Sequence, residues 1–195
     1  MDQIYDEISR TPTQTMGYMS GDTWVRDPKR LAFTLARYKF VAKMFEGLGQ
    51  VLEVGAGDGW ASSIVRQHVG NLVLIDTRES PGVFPHDICD GAMPGFQAAY
   101  ALDVLEHIEP RHEQPFLTNM AKSARKVIVG MPSIQSQVYA SPLSKAGHIN
   151  CMSQPELRRK MQSHFEHVFM FGMNDEVVHT GFAPMCQYLF AIGCN

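Results

Sequence analysis

Val51-Leu52-Glu53-Val54-Gly55-Ala56-Gly57-Asp58-Gly59 decides how the rest of the chain is read. An apolar run carries an acidic residue near its end, and three glycines then stand at alternate positions. The run reads as a buried strand. The glycines read as a tight turn at which backbone comes close to a ligand. Trp60 to His68 reads as a helix whose N-terminus faces that ligand. Strand, glycine turn and helix together form a cradle for a cofactor.

Outward from that stretch, strands and helices alternate. Asp27 and Pro28 mark a helix start, an Asp cap with Pro in the first turn. Lys29 to Phe45 follows, with Leu31, Leu35, Tyr38, Val41, Ala42 and Phe45 at helical spacing, and Gly47-Leu48-Gly49 ends it. Residues 1 to about 25 are polar and show little periodicity. Downstream, strands are expected at Asn71–Asp76, Gly82–His86, Phe96–Leu102 and Lys126–Met131. Helices are expected at Pro110–Ala124 and at Gln154–Gln162, the latter opened by Ser153 with Glu156 three residues on. His164–Phe171 and Cys186–Ile192 follow each other without a helix and should pair antiparallel at the end of the sheet. Such alternation argues for a parallel sheet covered on both faces, with ligands outside the carboxyl ends of its strands.

The bulk composition narrows the function. At 195 residues the chain reads as one domain, with 1–45 before the core and 46–195 forming it. The net charge of -3 gives no electrostatic reason to expect nucleic acid or a membrane surface as partner. No apolar run approaches a membrane span, and the acidic start does not read as a signal peptide, so a cytoplasmic location is expected. The four cysteines are scattered without a CxxC pair and read as reduced thiols. Twelve methionines read as core filler.

Carboxylates recur at the ends of successive strands: Glu53, Asp76, Asp87 and Asp103. Asp76, at the tip of the second strand, can accept both hydroxyls of a ribose. Asp87 can take an adenine amine, with Ile88 packing on the ring, and Asp103 can hold an ammonium group. Spacing then chooses the cofactor. A dinucleotide site uses G-x-G-x-x-G, whereas this chain has G-x-G-x-G with an acid two residues before the first glycine. A pyrophosphate is repelled by carboxylates, while a cofactor with a cationic amino-acid tail and no phosphate tolerates them. Glu53 and Asp103 therefore fit S-adenosylmethionine better than NAD or FAD.

Glu53-Val-Gly-Ala-Gly-Asp-Gly59 resembles motif I of the class I S-adenosylmethionine-dependent methyltransferases. Leu74-Ile75-Asp76 looks like their second motif, and Ala101-Leu-Asp-Val-Leu-Glu-His-Ile108 is similar to a later motif, past the second strand, of the small-molecule branch. Gly147-His-Ile-Asn and Ser153-Gln-Pro-Glu-Leu-Arg158 resemble the same branch. The resemblance implies a Rossmann-like, mostly parallel α/β sheet of seven strands with an antiparallel C-terminal hairpin. It also implies cofactor contacts at Gly55, Ala56 and Gly57, at Asp76 with Thr77, at Asp87 with Ile88, and at Asp103. The segment between Asp76 and Asp87 is shorter than the family pattern. The Asn/Asp-Pro-Pro-Tyr motif of base methyltransferases is absent, and Gly130-Met-Pro-Ser133 stands near its place.

The acceptor side is read from histidines and from the N-terminal arm. Methyl transfer is largely a matter of alignment, with a general base where the acceptor is a hydroxyl. His107 and His148 are the candidate bases; each could instead hold its own loop. His179 lies between the last two strands, as a substrate contact or an exposed loop residue. Tyr18, Trp24 and Arg26 form a candidate lid. No cluster of Asp, Asn or His has a spacing that argues for a metal. The expected function is methylation of a small polar metabolite, O-methylation ahead of N-methylation. The alternatives are protein methylation, other chemistry on the same cofactor, or a non-catalytic module that binds it.

Overall fold

The computed structural model describes residues 2–13 and 15–195. The N-terminal stretch is more ordered than its sequence suggests, with helices α1 (Asp2–Ser9) and α2 (Tyr18–Arg26). α1 carries Ile4, Tyr5 and Ile8 on one face, a stripe too short to stand out, and all three are exposed. α3 (Pro28–Met44) begins where expected, but Asp27 makes no side-chain cap bond. The preset φ of Pro28 is what opens it. β1 (Gln50–Val54) follows. Turns through 57–62 consume the first half of the expected Trp60 helix, leaving α4 (Ser63–Arg66).

β2 (Asn71–Asp76) precedes β3 (Phe84–Pro85), an edge strand cut short where Pro85 offers no N–H to the ladder. β4 (Phe96–Leu102), α5 (Glu113–Ser123) and β5 (Ala124–Pro132) complete the parallel part. α6 (Pro142–Gly147) and α7 (Gln154–Gln162) come next, and α7 opens with the expected capping box of Ser153 and Glu156. β6 (His167–Asn174), β7 (Val177–His179) and β8 (Tyr188–Cys194) close the chain.

Among the described residues the sheet runs β3-β2-β1-β4-β5-β8-β6-β7, eight strands where seven were expected. The extra strand is β7, which folds back antiparallel on β6. Asp175 makes that reversal at φ 50°, a conformation a short polar side chain tolerates. β8 lies antiparallel between β5 and β6, as expected of the last two long strands.

Helices cover both faces. Tyr38 and Val41 of α3, Phe45 just past its end and Val65 of α4 pack with Val51 and Tyr100. Phe116 and Met120 of α5 and Leu157 and Met161 of α7 pack with Leu52 and Ala99 on the other face. The period-two alternation of β1 divides Leu52 and Val54 from Val51 and Glu53. The chain leaves β1 for β2 on one side and later places β4 on the other. That reversal opens a crevice at the carboxyl ends of β1 and β4, where open α/β sheets bind ligands. Among the described residues no helix is long and apolar enough to cross a membrane.

Candidate active site

A cavity of about 720 Å³ occupies that crevice. Gly55 forms part of its floor. Its φ of 74° is left-handed, and a Cβ there would lie 2.3 Å from Val104 Cγ2. The turn can pass beneath the end of β4 only without a side chain. The N–H groups of Gly55 and Ala56 donate to the Ile75 carbonyl at 2.9 and 3.0 Å. Gly57 N–H donates to Asp76 Oδ2 at 2.9 Å, and Arg78 N–H to Asp76 Oδ1 at 2.9 Å. The turn and the tip of β2 are thereby locked together.

Gly55, Gly57, Asp76, Thr77, Asp87, Ile88 and Asp103 all border this one cavity. Asp87 Oδ1 accepts the Cys89 N–H at 2.8 Å, and the Ile88 side chain is almost fully covered. Glu53 and Ala56 stand elsewhere. Strand alternation turns Glu53 toward α3, where it is 1% exposed. There it accepts from Tyr38 Oη at 2.7 Å and from Tyr100 Oη at 2.5 Å. Burial raises its carboxyl above the usual range, against hydrogen bonds that include those of Tyr100 and Tyr38. Glu53 thus ties β1 to Tyr38 and Tyr100 and does not border the cavity. Ala56 packs into the same core.

Asp58, which the sequence offers only as part of the turn, anchors the N-terminal segment. Its carboxylate accepts from the Ser20 N–H at 3.3 Å and from Ser20 Oγ at 3.2 Å. Gly17 lies so close that a Cβ would stand 2.2 Å from Asp58 Cβ. Gly17, Tyr18 and Met19 consequently edge the cavity. Trp24 and Arg26 do not, because α2 carries them away. Trp24 is exposed, and Arg26 pairs with Asp22 at 2.7 Å.

Asp103 sits at φ 56° and is held by a residue the sequence did not single out. Arg37 Nη1 donates to both of its oxygens, at 2.9 and 2.8 Å. The Arg37 guanidinium lies 3.9 Å from the centroid of the Tyr188 ring. Burial works against that charge; Asp103, with Tyr188 and Glu106, outweighs it and raises the Arg37 pKa. Nothing in the sequence links a residue inside the apolar stripe of α3 to an acid 66 positions away. A carboxylate has about four lone-pair sites, so Asp103 keeps acceptor capacity toward the cavity.

Glu106 follows one turn later and is fully buried, and neither of its oxygens has a hydrogen-bond partner among the described residues. Burial, and then the charge of Asp103, push its carboxyl well above the usual range. His107 borders the cavity, its Nδ1 2.8 Å from the Gly147 carbonyl oxygen. The His148 ring lies 5.1 Å from that of His107, with Nδ1 2.8 Å from Gln137 Oε1. Glu106, His107 and His148 each bring a potential ligand atom within 4.8 Å of the others. Linear spacing does not announce this grouping, because His148 arrives on the connection after β5. His179 does not border the cavity. Its Nε2 lies 2.7 Å from Asn174 Oδ1 and its Nδ1 accepts the Gly181 N–H at 3.1 Å, which fastens the β6–β7 hairpin.

The sheet order, the antiparallel β8 and the cavity at the β1–β4 switch point define a Rossmann-like α/β fold shared with solved S-adenosylmethionine-dependent methyltransferases. No protein-family model matches the chain. No curated protein matches it in sequence. Solved structures match it in shape. A SAM-dependent methyltransferase from Archaeoglobus fulgidus superposes with a TM-score of 0.68 at 15% identity, over 92% of this chain and 100% of that one. Magnesium protoporphyrin IX methyltransferase (ChlM) from Synechocystis PCC 6803, with bound SAM, gives 0.58 at 13% identity, over 97% and 90%. The small RNA methyltransferase HEN1 gives 0.68 at 11% identity, over 95% of this chain and 27% of that one.

Proposed function

We propose that this chain is an S-adenosylmethionine-dependent methyltransferase acting on a small polar metabolite, with O-methylation ahead of N-methylation. The observation that carries the reading is the charge of the cavity. Asp58, Asp76, Glu79, Asp87 and Asp103 line it against the guanidinium of Arg78, with that of Arg37 behind Asp103, which leaves the acids in excess. That field disfavours a pyrophosphate and favours a cationic, phosphate-free ligand. In this reading Asp76 takes the ribose hydroxyls, Asp87 and Ile88 the adenine, and Asp103 the amino group, with Gly55 and Gly57 leaving room for the methionine chain. When bound, the cofactor would supply a sulfonium methyl for displacement by the acceptor oxygen, its sulfur leaving as the neutral thioether and the hydroxyl proton passing to water. The chain's task is to hold donor and acceptor in line and to exclude water.

The test is calorimetry with S-adenosylmethionine and S-adenosylhomocysteine. Both should bind, and Asp76→Ala should abolish binding while the protein still unfolds cooperatively. Unchanged affinity in that variant would remove the ribose assignment. Release of S-adenosylhomocysteine with metabolite pools, against none with small RNA or protein pools, supports the small-molecule acceptor. The HEN1 likeness makes RNA the pool to run beside it. Binding without turnover in any pool would favour a non-catalytic module.

A further inference from the structure

We propose that Glu106, His107 and His148 form a site for one divalent transition-metal ion at the acceptor edge of the cavity. One ligand atom from each lies within 4.8 Å of the other two. Two imidazoles and one carboxylate suit zinc, manganese or iron(II) better than the all-oxygen sets of calcium and magnesium. Bonds of about 2.1 Å to a single ion place its ligand atoms within roughly 4 Å of one another. The cluster therefore has to close by only about 1 Å, and His107, which is exposed, has the freedom to do so.

Both rings are already held as ligands are held. His107 Nδ1 faces the Gly147 carbonyl oxygen and His148 Nδ1 faces Gln137 Oε1, each at 2.8 Å. Carbonyl oxygens only accept, so each Nδ1 carries the proton and each Nε2 keeps its lone pair. Metal-binding histidines are oriented in this way by their outer partners. The carboxylate is an independent indication. Glu106 is fully buried, and no described residue donates to either oxygen. A buried carboxyl left without a partner is costly. Arg37, the cation whose charge reaches Glu106, gives its Nη1 to Asp103 instead. A metal ion is the partner this carboxylate lacks.

The role of the ion rests on the methyl-transfer reading. His107 borders the cavity, so an ion beside it would sit next to the acceptor. It would hold a hydroxyl oxygen and lower the pKa of the O–H, whose proton passes to water before the oxygen takes the methyl group. His107 and His148 then act as ligands rather than as bases, and no side-chain base is needed.

The test titrates Mn²⁺ or Zn²⁺ alone into the chelator-treated full chain. One ion should bind per chain, and Co²⁺ should give a d–d absorption band of mixed nitrogen and oxygen ligation. Glu106→Gln and His107→Ala should each weaken binding at least tenfold. Gln137→Ala, which touches only the outer side of the His148 ring, should weaken it about tenfold. If Glu106→Gln no longer unfolds cooperatively, His107→Ala at its exposed position decides. Absence of binding, or an affinity unchanged by these substitutions, overturns the site. S-adenosylhomocysteine titrated into the metal-free chain reports separately on the methyl-transfer reading, so either idea can fail without the other.

Discussion

At the scale of single residues, the acid ahead of the glycine turn carries the sharpest contrast. Its charge and place beside the glycines direct Glu53 toward a ligand, but the pleat of β1 directs it toward α3, and the pleat prevails. That outcome was legible in the alternation of Val51-Leu52-Glu53-Val54, which puts Glu53 on the face of Val51. The two phenols that satisfy it were not legible, because Tyr38 and Tyr100 come from a helix and from a different strand. Removing one leaves a buried oxygen without its donor. Tyr100→Phe should therefore lower unfolding free energy by about 1–3 kcal/mol, read from the urea midpoint at constant m-value. A loss under a few tenths of a kcal/mol would mean that the carboxylate finds another donor. Asp76, Asp87 and Asp103 were legible because each ends or follows a strand. Arg37 and Glu106 were not, since their significance lies in what surrounds them.

At the scale of elements, the N-terminal arm divides in a way its composition does not announce. Gly17 to Met19 reach the cavity, while Trp24 and Arg26, the more conspicuous residues, ride away on the exposed side of α2. The contact that seats the arm is between polar groups, Ser20 on Asp58, with the bare Cα of Gly17 against the same side chain. Hydrophobic periodicity detects neither. If this segment closes over the cofactor, Asp58→Ala should free it without disturbing the sheet. The expected result is a several-fold weaker affinity for S-adenosylhomocysteine and faster limited proteolysis before residue 27, at a nearly unchanged thermal midpoint. Equal affinity and equal proteolysis in variant and parent would show that the arm is not a lid. The β6–β7 hairpin was missed for a similar reason. Val177 and Val178 form too short an apolar pair to mark a strand, and it is pairing with β6 that makes them one.

At the scale of the whole molecule, the parallel sheet with its antiparallel end was readable because alternating strands and helices leave few ways to wind the chain. What that winding buries sets how the fold responds to pH, and two groups pull in opposite directions. Burial raises the Glu53 carboxyl pKa above its ordinary 4.5. The folded chain therefore holds that proton more tightly than the unfolded one. This contribution to stability is fully present below about 4.5 and is lost as pH rises through the folded value. Burial lowers His164 below its ordinary 6.5, against Glu113, which raises it. The unfolded chain then binds the extra proton, so stability is full above 6.5 and is lost as pH falls toward the folded value. Glu53→Gln should accordingly flatten the decline of the thermal midpoint above 4.5, and His164→Asn should flatten its decline below 6.5. Midpoints measured across that range in both variants separate the two. If His164→Asn instead steepens the acid side, the imidazole is charged in the fold and Glu113, not burial, governs it.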